Sequence, residues 1–181
     1  AKEYFGIDVD EIRLIRILTI DAGFTSEQMD AARTRIFTNP ITEESSFKAL
    51  ARDFDWLIWV GYRPGVRDTA GSTAVEAMED LFKVKLEAHE AVYTSKLYVI
   101  QGKIEETHVR TIAREILAND IIQQWKIFNR RGWNAEEGIG FILPKVILNH
   151  EPQVTAIPIG SDRELKEISQ MRNLALQDKD I

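Results

Sequence analysis

An α+β fold is predicted, made of two related strand and helix units with an antiparallel sheet and helices packed on it. Three observations predict it. Residues 56–62, WLIWVGY, are apolar on both alternations, as in a strand buried on two sides. Apolar stripes at helical spacing lie between such strands. The third is internal: residues 12–46 match residues 92–126 without a gap when shifted by 80 positions.

Residues 12–20, IRLIRILTI, are rich in β-branched side chains and read as the first strand, ended by Asp21-Ala22-Gly23. Thr25 and Gln28 form a capping-box pair, and Met29, Ala32, Ile36 and Phe37 follow on one face, so a helix is expected over 26–38. Asn39-Pro40 stops it, because the residue before proline is pushed out of the α region. The polar run ITEESSF at 41–47 is expected as a short edge strand.

The strand from Asp55 to Tyr62 meets a Pro64-Gly65 turn. Ala74, Val75, Met78, Leu81 and Phe82 then mark an amphipathic helix with Glu76, Glu79 and Asp80 facing water. A strand at 92–100, a turn at Gly102-Lys103, a helix ending near Asn119 and a strand at 121–128 complete this half. Trp56 and Trp59 point to opposite faces of their strand. One is expected under helices, the other against a second sheet or a partner.

Under the 80-residue shift Ile17 falls on Leu97, Ile20 on Ile100, Met29 on Val109, Ile36 on Ile116 and Asn39 on Asn119. Identities are few, but apolar classes agree where a core is expected. Chance likeness between two strand-helix-strand segments is the plain alternative, and the absence of gaps argues against it. The resulting division is 1–48, a first unit lacking its opening strand; 53–128, a second unit; 129–160, a linker broken by prolines; and 161–181, a final helix to about Leu176 opened by Ser161 and Glu164. AKEYFGI is expected to be the end of a helix whose strand and turn lie upstream.

At 181 residues, 44% hydrophobic and 29% charged, the chain can bury roughly 70% of its unfolded surface and needs no staples. There are no cysteines, hence no disulfide, thiolate nucleophile or Cys-based metal site, which suits a cytoplasmic protein. No apolar run is long enough to span a membrane. A net charge of −6 with dispersed Lys and Arg argues against nucleic acid, whose affinity comes from neutralised phosphates.

His89, His108 and His150 lack metal-ligand spacing and read as ordinary surface or packing residues. Gly138-Ile139-Gly140 lacks the third glycine of a nucleotide fingerprint, and no phosphate loop or nucleophile elbow occurs. One local concentration remains: Arg63, Pro64, Gly65, Arg67 and Asp68. Two arginines beside a tight turn could grip a carboxylate or phosphate. Turn chemistry alone explains most of the composition and is preferred: Pro and Gly shape the turn, and Asp68 begins the next helix.

The stretch DWLIWVGYRPGVRDTAG, with the strand, helix and strand that follow to about Phe128, resembles the PurS family. Its members open with an apolar strand, a K/R-P-G-V-x-D-x-x-G turn and an amphipathic helix. The doubled arrangement resembles the N-terminal region of large phosphoribosylformylglycinamidine synthases, where two PurS-like units are fused to imitate a dimer, and IPIGSDRELKEISQMRNLAL resembles the exit segment of that region. The resemblance implies two PurS-like, ferredoxin-like-related units about a pseudo-twofold axis. It further implies a part in purine biosynthesis as a scaffold that docks catalytic synthetase and glutaminase domains or subunits. ATP and Mg²⁺ then belong to the parent ligase. No catalytic, cofactor or metal residue is carried over to this chain, and a homo-oligomer stays open. Two departures are the missing strand and turn of the first unit, and the polar ITEESSF where the second unit has IIQQWKIF. The rival expectation is a regulatory, ACT-like module with a small-molecule pocket between paired units.

Overall fold

In the computed structural model, residues 5–146, 156, 160–172, 174, 176 and 177 are described. The chain forms two compact units, Ala1–Val146 and Ile147–Ile181. The first contains β1 (Glu11–Asp21), α1 (Ser26–Arg35), β2 (Trp56–Tyr62), α2 (Thr69–Phe82), β3 (Ala91–Gln101), α3 (Glu106–Ile112, widening into a π-helical turn over Ala113–Leu117) and β4 (Gln123–Asn129). The strands form one antiparallel sheet in the order β1-β3-β2-β4.

β2 lies inside that sheet, and its two alternations serve different cores. Ile58 and Val60 join Ile100, Val109 and Ile112 under α3. Leu57 and Trp59 point the other way and join Phe54, Leu97 and Val99. Where a second sheet or a partner was expected over one tryptophan, no second sheet covers Trp59 among the described residues; irregular chain lies on this face instead. Trp133, Ile139 and Ile142 pack on it, and the Trp133 ring stands edge-on to Phe54 and Phe128 at centroid distances of 5.6 and 6.0 Å. So part of the segment read as a linker is a strap on the sheet. Gly61 has a steric reason, since a Cβ there would lie 2.4 Å from the Trp59 ring.

A third core holds α1 against α2: Ala32, Ala74, Met78 and Val92 are buried, with Phe24 and Phe82 in ring contact. α2 can sit this close to β3 because its first turn carries Gly71, where a Cβ would fall 2.2 Å from the Val92 carbonyl oxygen.

The expected capping box is present: Gln28 N–H donates to Thr25 Oγ1 (3.2 Å) and Thr25 N–H to Gln28 Oε1 (2.9 Å). α1 ends at Arg35, three residues early, because the N–H groups of both Ile36 and Phe37 close on the Ala32 carbonyl. The expected edge strand at 41–47 does not form. Its polar groups are spent locally: Glu43 accepts from Asn39 N–H and pairs with Arg16, while Ser45 bonds Arg33 and Thr38. Glu79 does not face water as expected. It accepts the Leu86 N–H at 2.9 Å and pairs with Lys85, pinning the loop after α2, which ends at left-handed Lys83. This ion pair and the Leu86 N–H hold the Glu79 carboxyl below its ordinary value, and Glu79 raises that of Lys85.

Several hydrogen bonds recur 80 positions apart. Phe24 N–H to Ala22 O (3.0 Å) matches Ile104 N–H to Gly102 O (2.9 Å), and Met29 to Thr25 matches Val109 to Glu105. After each helix an asparagine builds the same turn. Asn39 Oδ1 accepts from Ile41 N–H and Asn119 Oδ1 from Ile121 N–H, both at 3.0 Å. Their own N–H groups donate to Glu43 and Gln123, both at 2.9 Å.

In the second unit α4 spans Asp162–Met171, shorter than expected because Leu174 N–H turns back to Ser169 O. Ser161 Oγ caps Glu164 N–H at 3.3 Å, but the Glu164 side chain accepts from Gly160 N–H at 2.8 Å, one residue outside the usual box. Residues 1–4 of AKEYFGI and most of 147–159 lie outside the described residues, as does His150.

Candidate functional site

The 63–68 loop is a type II turn. Val66 N–H donates to Arg63 O at 3.1 Å, Pro64 supplies the fixed φ at the second position, and Gly65 takes φ +83° at the third. Arg63 is a strut: its N–H donates to Ile122 O (3.0 Å) and its Nε to Asp120 O (2.9 Å), tying the end of β2 to the turn before β4.

Asp68 does more than open α2. Its Oδ1 accepts from Gly71 N–H at 2.8 Å, capping the helix. Its Oδ2 accepts from Thr94 N–H at 2.5 Å, and both oxygens lie within 3.0 Å of Thr94 Oγ1. The β2–β3 ladder stops at Gly61 and Ser95. One residue beyond, the carboxylate takes over the strand amide that β2 has left. Thr94 is a partner that sequence reading missed, 26 positions away with no local signal.

Arg67 stands apart: it is exposed and has no hydrogen bond or ion pair among the described residues. The loop therefore brings together Arg63, Gly65 and Asp68 as architecture and leaves Arg67, beside Pro64, facing outward. The Arg63 guanidinium is turned to the Asp120 carbonyl, and Arg67 is exposed. Among the described residues no three His, Asp or Glu side chains gather as a metal site would require. No helix there is long and apolar enough to cross a membrane.

The family model PurS, phosphoribosylformylglycinamidine (FGAM) synthase, matches residues 56–130. Residues 56–130 form a PurS-like region. It begins at β2, contains the Pro64-Gly65 turn, Asp68 and α2, and ends just past β4. The PurS-like region thus includes the Asp68–Thr94 link and the Arg63 strut, while β1 and α1 lie outside the matched residues. No curated protein matches the chain.

Proposed function

We propose that this chain is a structural module of phosphoribosylformylglycinamidine synthase, built from two PurS-like units in tandem and docking the synthetase core. The observation that carries the assignment is the PurS match over 56–130, which supports a role in FGAM synthesis and so in purine biosynthesis. What supports the tandem reading is the recurrence of the asparagine turns and helix starts 80 positions apart. It is supported too by the β1–β3 register, in which Arg16 faces Lys96, its own counterpart.

In this reading the module works in the cytoplasm and does no chemistry itself. Two polar side chains of the 63–68 loop, Arg63 and Asp68, are committed to packing and turns. ATP, Mg²⁺ and glutamine-derived ammonia are handled in the synthetase and glutaminase parts. Arg67 and the Pro64-Gly65 rim form part of the docking surface.

The test is reconstitution. The chain is incubated with formylglycinamide ribonucleotide, ATP, Mg²⁺ and ammonia, alone and with a synthetase core deprived of its PurS-like part. The chain alone gives no product, and adding it restores activity to the core. Turnover by the chain alone, or a core that neither binds the chain nor responds to it, would sink the reading.

A further inference from the structure

The two faces of the sheet are covered in different ways. On one, the side chains laid down by α2 and α3 are themselves buried: Ala74, Met78, Val109 and Ile112 are at most 6% exposed. On the other, Leu57, Trp59, Leu97 and Val99 are buried just as deeply. Yet the strap that supplies Trp133, Ile139 and Ile142 to this face has no buried residue anywhere in 133–146. The irregular stretch before β2, on the same face, is seated more firmly, with Ala51 and Phe54 both buried.

Little holds the strap down. It has no helix or strand, and its described backbone hydrogen bonds stay within it: Gly138 N–H to Asn134 O at 2.9 Å and Gly140 N–H to Glu137 O at 3.0 Å. Both glycines have positive φ, +58° and +68°, and nothing lies within 4 Å of the place a Gly140 Cβ would take, so the backbone has room to bend there. Its polar tie to the sheet is Lys145. That ammonium pairs with the Asp21 carboxylate at the end of β1 and donates to the His89 carbonyl at 3.1 Å, ahead of β3. The two side chains are 37% and 34% exposed, and an ion pair so placed is weak. Closure also leaves chemistry unfinished. The Trp59 and Trp133 indole N–H groups are buried without an acceptor, a cost that contact with water removes, and Phe141 is 88% exposed on the outer side of the strap.

We propose that residues 139–146 are a releasable cover, which swings about Gly138 and Gly140 when the Lys145 tie breaks and bares the sheet face of Trp59 and Leu97 while the four strands stay paired. Trp133, edge-on to Phe54 and Phe128, stays behind as the pivot. The device depends on neither the tandem reading nor the pathway assignment.

The chain has no cysteine, so one engineered thiol reports access to each face. Leu97→Cys lies on the strap side, and Ile100→Cys, on the same strand, lies under α3. With a thiol-specific reagent in native buffer, Leu97→Cys is expected to label at least about 100-fold faster than Ile100→Cys. Its rate rises only slightly with low urea, because a local opening exposes little surface, whereas that of Ile100→Cys rises steeply. Adding Lys145→Ala speeds Leu97→Cys about three- to fivefold, the effect of losing one partly exposed ion pair, and leaves its shallow urea dependence as it was. Because Leu97→Cys could itself loosen the cover, the unsubstituted protein supplies a second readout, hydrogen exchange at the Trp59 indole N–H followed by NMR. That proton is expected to exchange well ahead of the β2 backbone amides, and faster again in Lys145→Ala. Equal labelling of the two cysteines with equally steep urea dependence, or indole exchange in step with the β2 amides, would mean that only global unfolding uncovers this face and overturns the proposal. A Lys145→Ala protein that changes neither rate overturns the latch.

Discussion

Asp68→Ala probes the reading of the 63–68 loop as architecture. The substitution removes a helix cap, worth about 1 kcal/mol. It also strips the acceptor from Thr94 N–H, a half-buried donor whose β2 partner has already peeled away. Leaving that group unpaired costs about 1–2 kcal/mol, at the low end because water has partial access. The sum is about 2–3 kcal/mol, and with a urea slope of about 2 kcal/mol/M the unfolding midpoint falls by about 1–1.5 M. Asp68→Asn keeps one acceptor oxygen but sets an NH₂ against a backbone donor, so it falls between Ala and wild type. Thr94→Val removes only the hydroxyl contacts and costs less than about 1 kcal/mol. Equilibrium urea unfolding of the three variants, with exposed Asp80→Ala as control, gives the ranking. An Asp68→Ala midpoint matching that of Asp80→Ala would refute the claim that this carboxylate joins α2 to β3.

Arg67→Ala is expected to leave the urea midpoint unchanged within about 0.5 kcal/mol while weakening binding to the synthetase core, measured by calorimetry. Gly71→Ala forces a methyl onto the Val92 carbonyl and costs about 2–3 kcal/mol by thermal unfolding, because the obstacle is backbone and cannot swing aside as a side-chain tip would. Trp133→Ala uncovers Phe54 and Phe128 and lowers stability by about 2–3 kcal/mol, less than for a fully buried ring because Trp133 is half-buried. Lys85 and the Leu86 N–H hold the Glu79 carboxyl below its ordinary value, so its stabilisation is present above the unfolded-state value and lost as pH falls through its folded pKa. Glu79→Gln should accordingly show a smaller loss of stability on acidification below about pH 5 than wild type, read by chemical denaturation at stepped pH.

Local signals in the sequence were enough for the central strand, the Pro-Gly turn and the Thr25–Gln28 box, because each is decided by neighbours within a few residues. The 80-position shift aligned Asn39 with Asn119, and the structure shows why the match holds: each side chain closes on its own backbone two residues on and needs no distant partner. What failed was long-range. Thr94 became a partner of Asp68 only because β2 ends its pairing at Gly61 while β3 continues. Trp133 was read as linker because nothing near it in the chain reveals Phe54 and Phe128 beneath. Residues 41–47 had enough polar character for an edge strand, but a strand needs a neighbour, and Glu43 and Ser45 found local partners instead. Of the five loop residues, Arg63 and Asp68 make contacts 57 and 26 positions away, distances over which residue spacing carries no information.

The pairing of Arg16 with Lys96 also sets a timetable for synthesis. At roughly 5–20 residues per second a ribosome needs about 4–16 seconds between making the middle of β1 and the middle of β3. Throughout that interval the isoleucine-rich early strand is outside the exit tunnel or moving through it without the neighbour it is built to meet. A pause placed before β3 is translated is therefore expected to raise aggregation of nascent chains more than one placed after it.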